Sequence, residues 1–181
     1  KVYYRAHPVK DGPDDIALYR LYKEAGIDVI IFGVEAGSNY ELELYGKTAR
    51  VEDNYRCLKI MHELDLFFCH VGIIMFGPYS TFSTLRENYR FMYQNQLFYW
   101  YCIISNSLIV TPGAAIYNKM KQEGRIIPRN NYWEYPDYEF RDLKIKELAL
   151  HYQHLRAIYP HIDLGSPLVL KAENIITRPK N

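Results

Sequence analysis

Apolar residues along this chain change their period several times, and each change marks an element. Val2-Tyr3-Tyr4-Arg5 is aromatic and β-branched and predicts a strand. It stops at Ala6-His7-Pro8, where a proline cannot donate to a ladder. A helix follows, with Asp11 or Gly12 as its cap, Pro13 in its first turn, Asp14 and Asp15 at the positive dipole end and Gly26 at its close. From Ile27 to Val34 only Asp28 and Gly33 interrupt an apolar run, which is how a strand covered on both faces reads. Strand, helix and strand in that order predict a parallel unit.

The alternation continues. A polar turn and a short helical piece lead to Tyr45, then Gly46-Lys47-Thr48, then a helix in which Val51, Tyr55, Leu58, Met61 and Leu64 keep helical spacing. A third strand is expected over 67–76, broken by Gly77-Pro78, and Thr81 caps a helix carrying Phe82, Leu85, Tyr89 and Met92. A fourth strand is expected over 101–110; Thr111 then caps a helix with Pro112 at its first position and Gly124 as its stop. Four strands and four helices at about the 30-residue pitch of a βαβ unit predict an α/β fold with a parallel sheet. Right-handed crossovers leave two arrangements, a doubly wound sheet or part of a barrel.

After Ile127 the pattern changes. Pro128, Asn130, Asn131 and Pro136, with Tyr132, Trp133, Tyr135 and Tyr138, read as an irregular connector. Phe140, Leu143, Leu148, Tyr152, Leu155 and Ile158 then describe one long helix ended by Pro160. The expected organisation is an α/β portion over 1–127 and a connector, helix and tail over 128–181.

Composition narrows the class. A length of 181 residues suits one globular domain, and 49% hydrophobic with 24% charged residues excludes a disordered or collagen-like chain. No apolar run reaches the ~18 residues of a membrane span. A formal charge of +1 gives no ground for a nucleic-acid or anionic-membrane partner. Cys57, Cys69 and Cys102 are odd in number and lack C-x-x-C spacing, so neither a disulfide framework nor a zinc site is indicated. A reducing cytoplasm is the expected compartment. Cys69 and Cys102, inside strands, read as small buried hydrophobes. The chain begins at Lys1, within a strand, with no initiator Met or leader, which is expected of a piece of a longer polypeptide. The unpaired edge of that first strand carries the same expectation, since an exposed apolar edge invites pairing.

In parallel α/β folds the working groups gather at the carboxyl ends of the strands. That rule selects Arg5 and His7, Glu35 to Ser38, Gly72 to Ser80, and Ser105 to Gly113. Glu35 stands out, because a carboxylate ending an apolar strand must be solvated, paired or used. It reads either as the partner of a basic residue at the sheet rim or as a functional group. The small residues of Gly33-Val34-Glu35-Ala36-Gly37-Ser38 admit a ligand to the backbone, or serve only a tight turn. Gly72-Ile73-Ile74-Met75-Phe76 is likewise a surface for a planar ring or a packed core strand. His151 and His154, one helical turn apart, read as surface or satisfied positions ahead of a metal site.

Taken in order, these pieces resemble the second half of a radical S-adenosylmethionine (SAM) domain, and most of all the subgroup with an upstream cobalamin-binding domain. GVEAGSNYELELYGKTARVEDNYRCLKIMHELDL is similar to the family's fourth strand and following helix. VGIIMFGPYSTFSTLRENYRFM is similar to the fifth, with its Gly-Pro turn and Thr, and SNSLIVTPGAAIYNKMKQEGRI to the sixth. The resemblance covers about the first 127 residues and implies the distal half, about four βα units, of a TIM-type (β/α)6 partial barrel followed by a C-terminal helical extension.

The resemblance also implies roles. Arg5, Glu35 and Lys47 would line the SAM site, with Lys47 facing the methionine carboxylate and Glu35 accepting from a ribose hydroxyl or the ammonium group. Ser38 would stand beside them, and Gly72 and Ile74 would lie along the adenine. Arg5 departs from the acid that relatives often carry there. The C-x-x-x-C-x-x-C loop that holds a 4Fe-4S cluster, and the glycine-rich turn after the second strand, are missing and are expected upstream of Lys1.

The function so implied is that of part of a radical SAM enzyme. A 5′-deoxyadenosyl radical would modify a small-molecule or peptide substrate, with cobalamin as a further cofactor in methylation or rearrangement. An electron donor such as flavodoxin or ferredoxin and the N-terminal half of the barrel in the same chain would be the partners. Tyr79, Asn106 and the Trp133 region read as facing substrate or as core or lid packing. Two other readings stand beside this one. One is a non-catalytic relative or assembly module without the cluster. The other is an unrelated TIM-barrel hydrolase or aldolase using Glu35 as base or metal ligand, with His7 as the lone second group.

Overall fold

The apolar run at 27–35 becomes the middle strand of a parallel sheet. The structure is a computed structural model that describes residues 2–6, 13–97, 104–129, 131 and 134–158, with backbone alone for 2–6 and 13–15. In it β1 (Val2–Ala6), β2 (Ile27–Glu35) and β3 (Phe68–Ile73) lie in the order β1-β2-β3. The β1–β2 crossover carries α1 (Pro13–Glu24), and the β2–β3 crossover carries α2 (Asn39–Leu44) and α3 (Val51–Leu64). Both pairings are parallel, with Arg5 level with Ile31 and Ile31 level with His70. The α/β class with a parallel sheet is as expected from the sequence.

These elements form one of two compact units, residues 1–73; the other comprises residues 74–181. Within the first, β2 buries one face only. Ile30, Phe32 and Val34 are almost fully enclosed, whereas Val29, Ile31, Gly33 and Glu35 on the other face are half-buried. The expectation of a strand packed on both faces is corrected here. Val29 and Ile31 are apolar, so the sequence could not reveal that this face is only half-buried. On α3 the enclosed residues are Asn54, Cys57 and Met61, while Val51, Tyr55, Leu58 and Leu64 flank them half-buried.

The second unit holds α4 (Phe82–Gln94), α5 (Ala115–Gln122), the antiparallel pair β4 (Ile126–Ile127) and β5 (Asp137–Tyr138), and α6 (Leu143–Ile158). Thr81 caps α4 as expected: its Oγ1 accepts from the Thr84 N–H at 3.2 Å, and Thr84 Oγ1 accepts from the Thr81 N–H at 3.0 Å. Four expectations change. The third strand ends at Ile73, short of 76, and Phe76 makes only an isolated parallel bridge with Ser107. The fourth strand shrinks to that bridge among the described residues, and Ile104 and Ser105 are helical. A regular ladder gives each carbonyl one amide, but the Met75 and Phe76 N–H groups both donate to the Asn106 carbonyl at 3.0 Å. Ser and Asn side chains offer competing bonds as well: Ser107 Oγ accepts from Gln153 Nε2 at 2.8 Å.

The helix after Thr111 starts three residues late. Gly113 has φ +90, and the Ala114 N–H donates to the Thr111 carbonyl at 3.1 Å, so Pro112-Gly113 forms a turn that no helix can run through. The apolar stripes also shift. On α4, Leu85, Phe91 and Met92 are buried but Phe82 and Tyr89 are exposed. The last helix begins after Asp142, whose carboxylate accepts from the Lys144 N–H at 2.9 Å, so Phe140 lies outside it. Its inward residues are Ile145 and Ala149, with Leu148 and Tyr152 beside them, packed with Phe76, Leu85, Met75 and Phe140. Leu143 and Ile158 face outward.

Among the described residues no helix is long and apolar enough to cross a membrane. The stripe assignment is directly testable. Ile145→Ala should destabilise the protein by about 2–5 kcal/mol in chemical denaturation, while Leu143→Ala, at a 69%-exposed position, should stay within ~0.5 kcal/mol. Equal losses would mean that the helix is rotated from the position described.

Candidate functional site

The carboxyl end of β2 is where the backbone departs most from regular geometry. Gly33 is level with Gly72 and Glu35 with Ile73, so Val34 is an extra residue and the ladder bulges. The Ala36 N–H donates to the Val34 carbonyl at 2.8 Å, closing a three-residue γ-turn whose central residue, Glu35, has φ +66. A non-glycine residue held there is strained by about 1–3 kcal/mol.

The turn leans the Glu35 side chain back along its own strand. A Cβ added to Gly33 would lie 2.6 Å from Glu35 Oε1 and 3.6 Å from Lys47 Nζ. Glycine is therefore required at 33 by close approach, not by its own backbone angle. Lys47 arrives by a separate route. After Tyr45 closes α2, Gly46 takes φ +71, its N–H donates to the Glu43 carbonyl, and the Lys47 N–H donates to Leu42 at 2.9 Å. This Schellman motif ends the helix and places Lys47 beside the end of β2. Lys47 Nζ lies 2.9 Å from Glu35 Oε1, with 34% and 17% of the two side chains exposed.

The sequence-selected residues are thus partly brought together. Glu35 and Lys47 form an ion pair, and Gly72 neighbours Gly33 on the adjacent strand. Ser38 is 1% exposed at the N-terminus of α2, and its Oγ has no partner among the described residues. Arg5 is level with Ile31, four residues short of Glu35, or roughly 13 Å along the strand; its side chain lies outside the described residues. Ile74 is half-buried and begins the second unit. His7, Cys102, Tyr132 and Trp133 lie outside the described residues, as do the Asp11 and Gly12 caps and Pro160. Tyr79 is 3% exposed and donates to Glu123 Oε2 at 2.8 Å, and half-buried Asn106 accepts at Oδ1 from Arg156 at 3.3 Å.

Asn54 was not selected from the sequence. It is 1% exposed on α3, and its Nδ2 donates to the carbonyls of Val34 at 3.1 Å and Ala36 at 3.4 Å. The signal for it was present: an amide on the apolar stripe, three residues after Val51 and four before Leu58. His70, level with Ile31 on β3, is half-buried, and burial lowers its pKa from the usual 6.5. Burial acts on the thiols as well. Cys57 is enclosed, and burial pushes the Cys69 thiol up to about 12. Among the described residues no three His, Cys, Asp or Glu side chains group as metal ligands.

Two outcomes follow. In Gly33→Ala the clash falls on the far end of a flexible side chain, so the melting temperature should hold within a few degrees while the Glu35–Lys47 contact opens, which a crystal structure of the variant would reveal. An intact pair would contradict the clearance argument. His70, with its folded pKa below the unfolded value, contributes stability that is present above about pH 6.5 and lost as pH falls from there through the lower folded pKa. His70→Gln should flatten the stability profile below about pH 6.5; an unchanged slope would assign the acid sensitivity elsewhere.

No family model matches the chain. It is 24% identical over 126 residues to the anaerobic magnesium-protoporphyrin IX monomethyl ester cyclase of Cereibacter sphaeroides, a match covering 68% of this chain and 20% of the cyclase. It is 38% identical over 69 residues to the 4′-phospho-dehydrooxetanocin synthase of Priestia megaterium, covering 38% of this chain and 9% of the synthase. Among solved structures it is similar to the cobalamin-dependent S-adenosylmethionine radical enzyme OxsB. The form with aqua-cobalamin and S-adenosylmethionine bound superposes with a TM-score of 0.69 at 18% identity, over 87% of this chain and 29% of that one. The form with aqua-cobalamin alone gives 0.68. The chain therefore spans less than a third of the length of the proteins it matches. In fold the chain is similar to a cobalamin-dependent S-adenosylmethionine radical enzyme.

Proposed function

We propose that this chain contributes the SAM-contacting portion of a radical SAM enzyme, with Glu35 and Lys47 as its polar contacts. The observation that carries the reading is the ion pair itself. A strained strand end and a separately capped helix converge to set one carboxylate and one ammonium side by side, over a glycine that leaves them room. SAM presents the complementary groups, a carboxylate for Lys47 and hydroxyl or ammonium donors for Glu35. Buried Ser38, whose hydroxyl has no partner among the described residues, supplies a further hydrogen-bonding group. The residues fit SAM on these grounds, and bound SAM would supply the adenosyl group from which such enzymes form a radical.

They do not fit the iron–sulfur cluster. Its ligands are thiolates, and among the described residues no three His, Cys, Asp or Glu side chains group together. In our reading the cluster ligands belong to an N-terminal half of the barrel in the same polypeptide. Residues 1–127 form the distal part of that partial barrel, and 128–181 its extension. Cobalamin, a small-molecule or peptide substrate and a flavodoxin- or ferredoxin-like electron donor complete the proposed cytoplasmic enzyme. A hydrolase or aldolase reading draws no support from the relatives.

The ion pair also favours a second reading. A closed contact at 2.9 Å is what a purely structural rim pair would look like, as in an assembly module that has kept the fold without the chemistry. SAM titration of the complete polypeptide, reconstituted anaerobically, separates the two. Charge-assisted hydrogen bonds contribute about 1.5–3 kcal/mol, so Glu35→Gln and Lys47→Gln should each raise the SAM Kd by roughly 10- to 100-fold. Unchanged affinity in both, with only stability altered, would establish the structural pair. Release of 5′-deoxyadenosine by the wild type is the accompanying readout for the activity.

A further inference from the structure

Glu35 is central to the γ-turn, yet nothing in its own chemistry favours φ +66. Asn and glycine adopt that region readily; glutamate does not. The ion pair to Lys47 acts at the far end of a flexible side chain and cannot fix the backbone. On α3, Asn54 bonds to the backbone on both sides of Glu35: its Nδ2 donates to the carbonyls of Val34 and Ala36. Because the Val34 carbonyl also accepts the Ala36 N–H, the amide reinforces the acceptor that closes the turn.

The orientation of the amide follows from its surroundings. Flipped, Asn54 would set its oxygen against two carbonyl oxygens, so the donor must face the turn. The remaining Oδ1 is buried with no partner among the described residues. A buried acceptor left unpaired is costly, so an apolar residue at this helix position would relieve that cost. Donation to the turn is what distinguishes asparagine here.

We propose that Asn54 is a positioning residue for Glu35: it fixes the γ-turn through the Val34 and Ala36 carbonyls and so sets where the carboxylate meets SAM. The proposal rests on the reading of Glu35 as a SAM contact. It adds that the contact is oriented from α3, through the backbone, by a residue that does not touch the ligand.

The test is a double-mutant cycle on SAM affinity in the complete, anaerobically reconstituted polypeptide, with thermal stability recorded in parallel. Asn54→Asp keeps the shape and removes the donor; should it not fold, Asn54→Ala removes the amide without adding a charge. In the wild-type background the substitution should raise the SAM Kd about tenfold. In the Glu35→Gln background it should raise it less than twofold, because the carboxylate it positions is already gone. A merely structural asparagine would give the same factor in both backgrounds, or none in either, and would overturn the proposal. Unchanged affinity in Glu35→Gln alone overturns instead the reading of Glu35 as a SAM contact, and the positioning role falls with it.

Discussion

One residue held in an unfavourable backbone conformation organises the described site. In an extended strand, same-face neighbours stand about 6.6 Å apart. Glu35 nevertheless brings its carboxylate to 2.6 Å from where a Gly33 side chain would begin. That return is possible because the γ-turn at φ +66 releases Glu35 from the ladder and the bulge absorbs the lost register. The absence of a side chain at 33 and the position of Lys47 beyond the Gly46 cap are both consequences of accommodating it.

The forces around the turn are of similar size, which is why the arrangement depends on several of them. Strain of about 1–3 kcal/mol is opposed by an ion pair that is partly exposed and contributes on the order of 1 kcal/mol at most. Two buried donations from Asn54, at about 1 kcal/mol each, are the other term of comparable magnitude. Val34, the extra residue of the bulge, is almost fully enclosed and adds apolar burial. Neither the carboxylate nor its basic partner could hold the turn alone.

What the sequence disclosed follows from which interactions are local. Caps and stops act over three or four residues, and Thr81, Gly26 and Gly124 all do what their types imply. The acid at 35 and the basic residue at 47 could be singled out because a charge at the end of an apolar run needs an explanation. The bulge could not be read, since Val34 is as apolar as Ile30 and Phe32; the amide of Asn54 stood out on its helical stripe, but its pairing with a turn 20 residues away did not. The fourth strand failed for a related reason. Tyr101 to Val110 has strand composition apart from Ser105, Asn106 and Ser107, and among the described residues Ser107 enters an isolated bridge while the Ser107 and Asn106 side chains take up bonds to Gln153 and Arg156.

A carboxylate and an ammonium that neutralise each other without ligand also lower the cost of ligand exchange. An isolated half-buried carboxylate would have to be desolvated afresh by each arriving ligand, whereas Glu35 has already shed much of its water to Lys47. Under the proposed function, SAM would bring its own carboxylate to Lys47 and its own donors to Glu35, so each partner trades one charge-assisted contact for another. The net gain then comes less from the charges than from their fixed placement, because a pair held in position loses little freedom on binding. Placement is what the γ-turn and the α2 cap provide, and it explains how a strained backbone at the end of β2 can be tolerated where a relaxed strand end would serve the fold equally well.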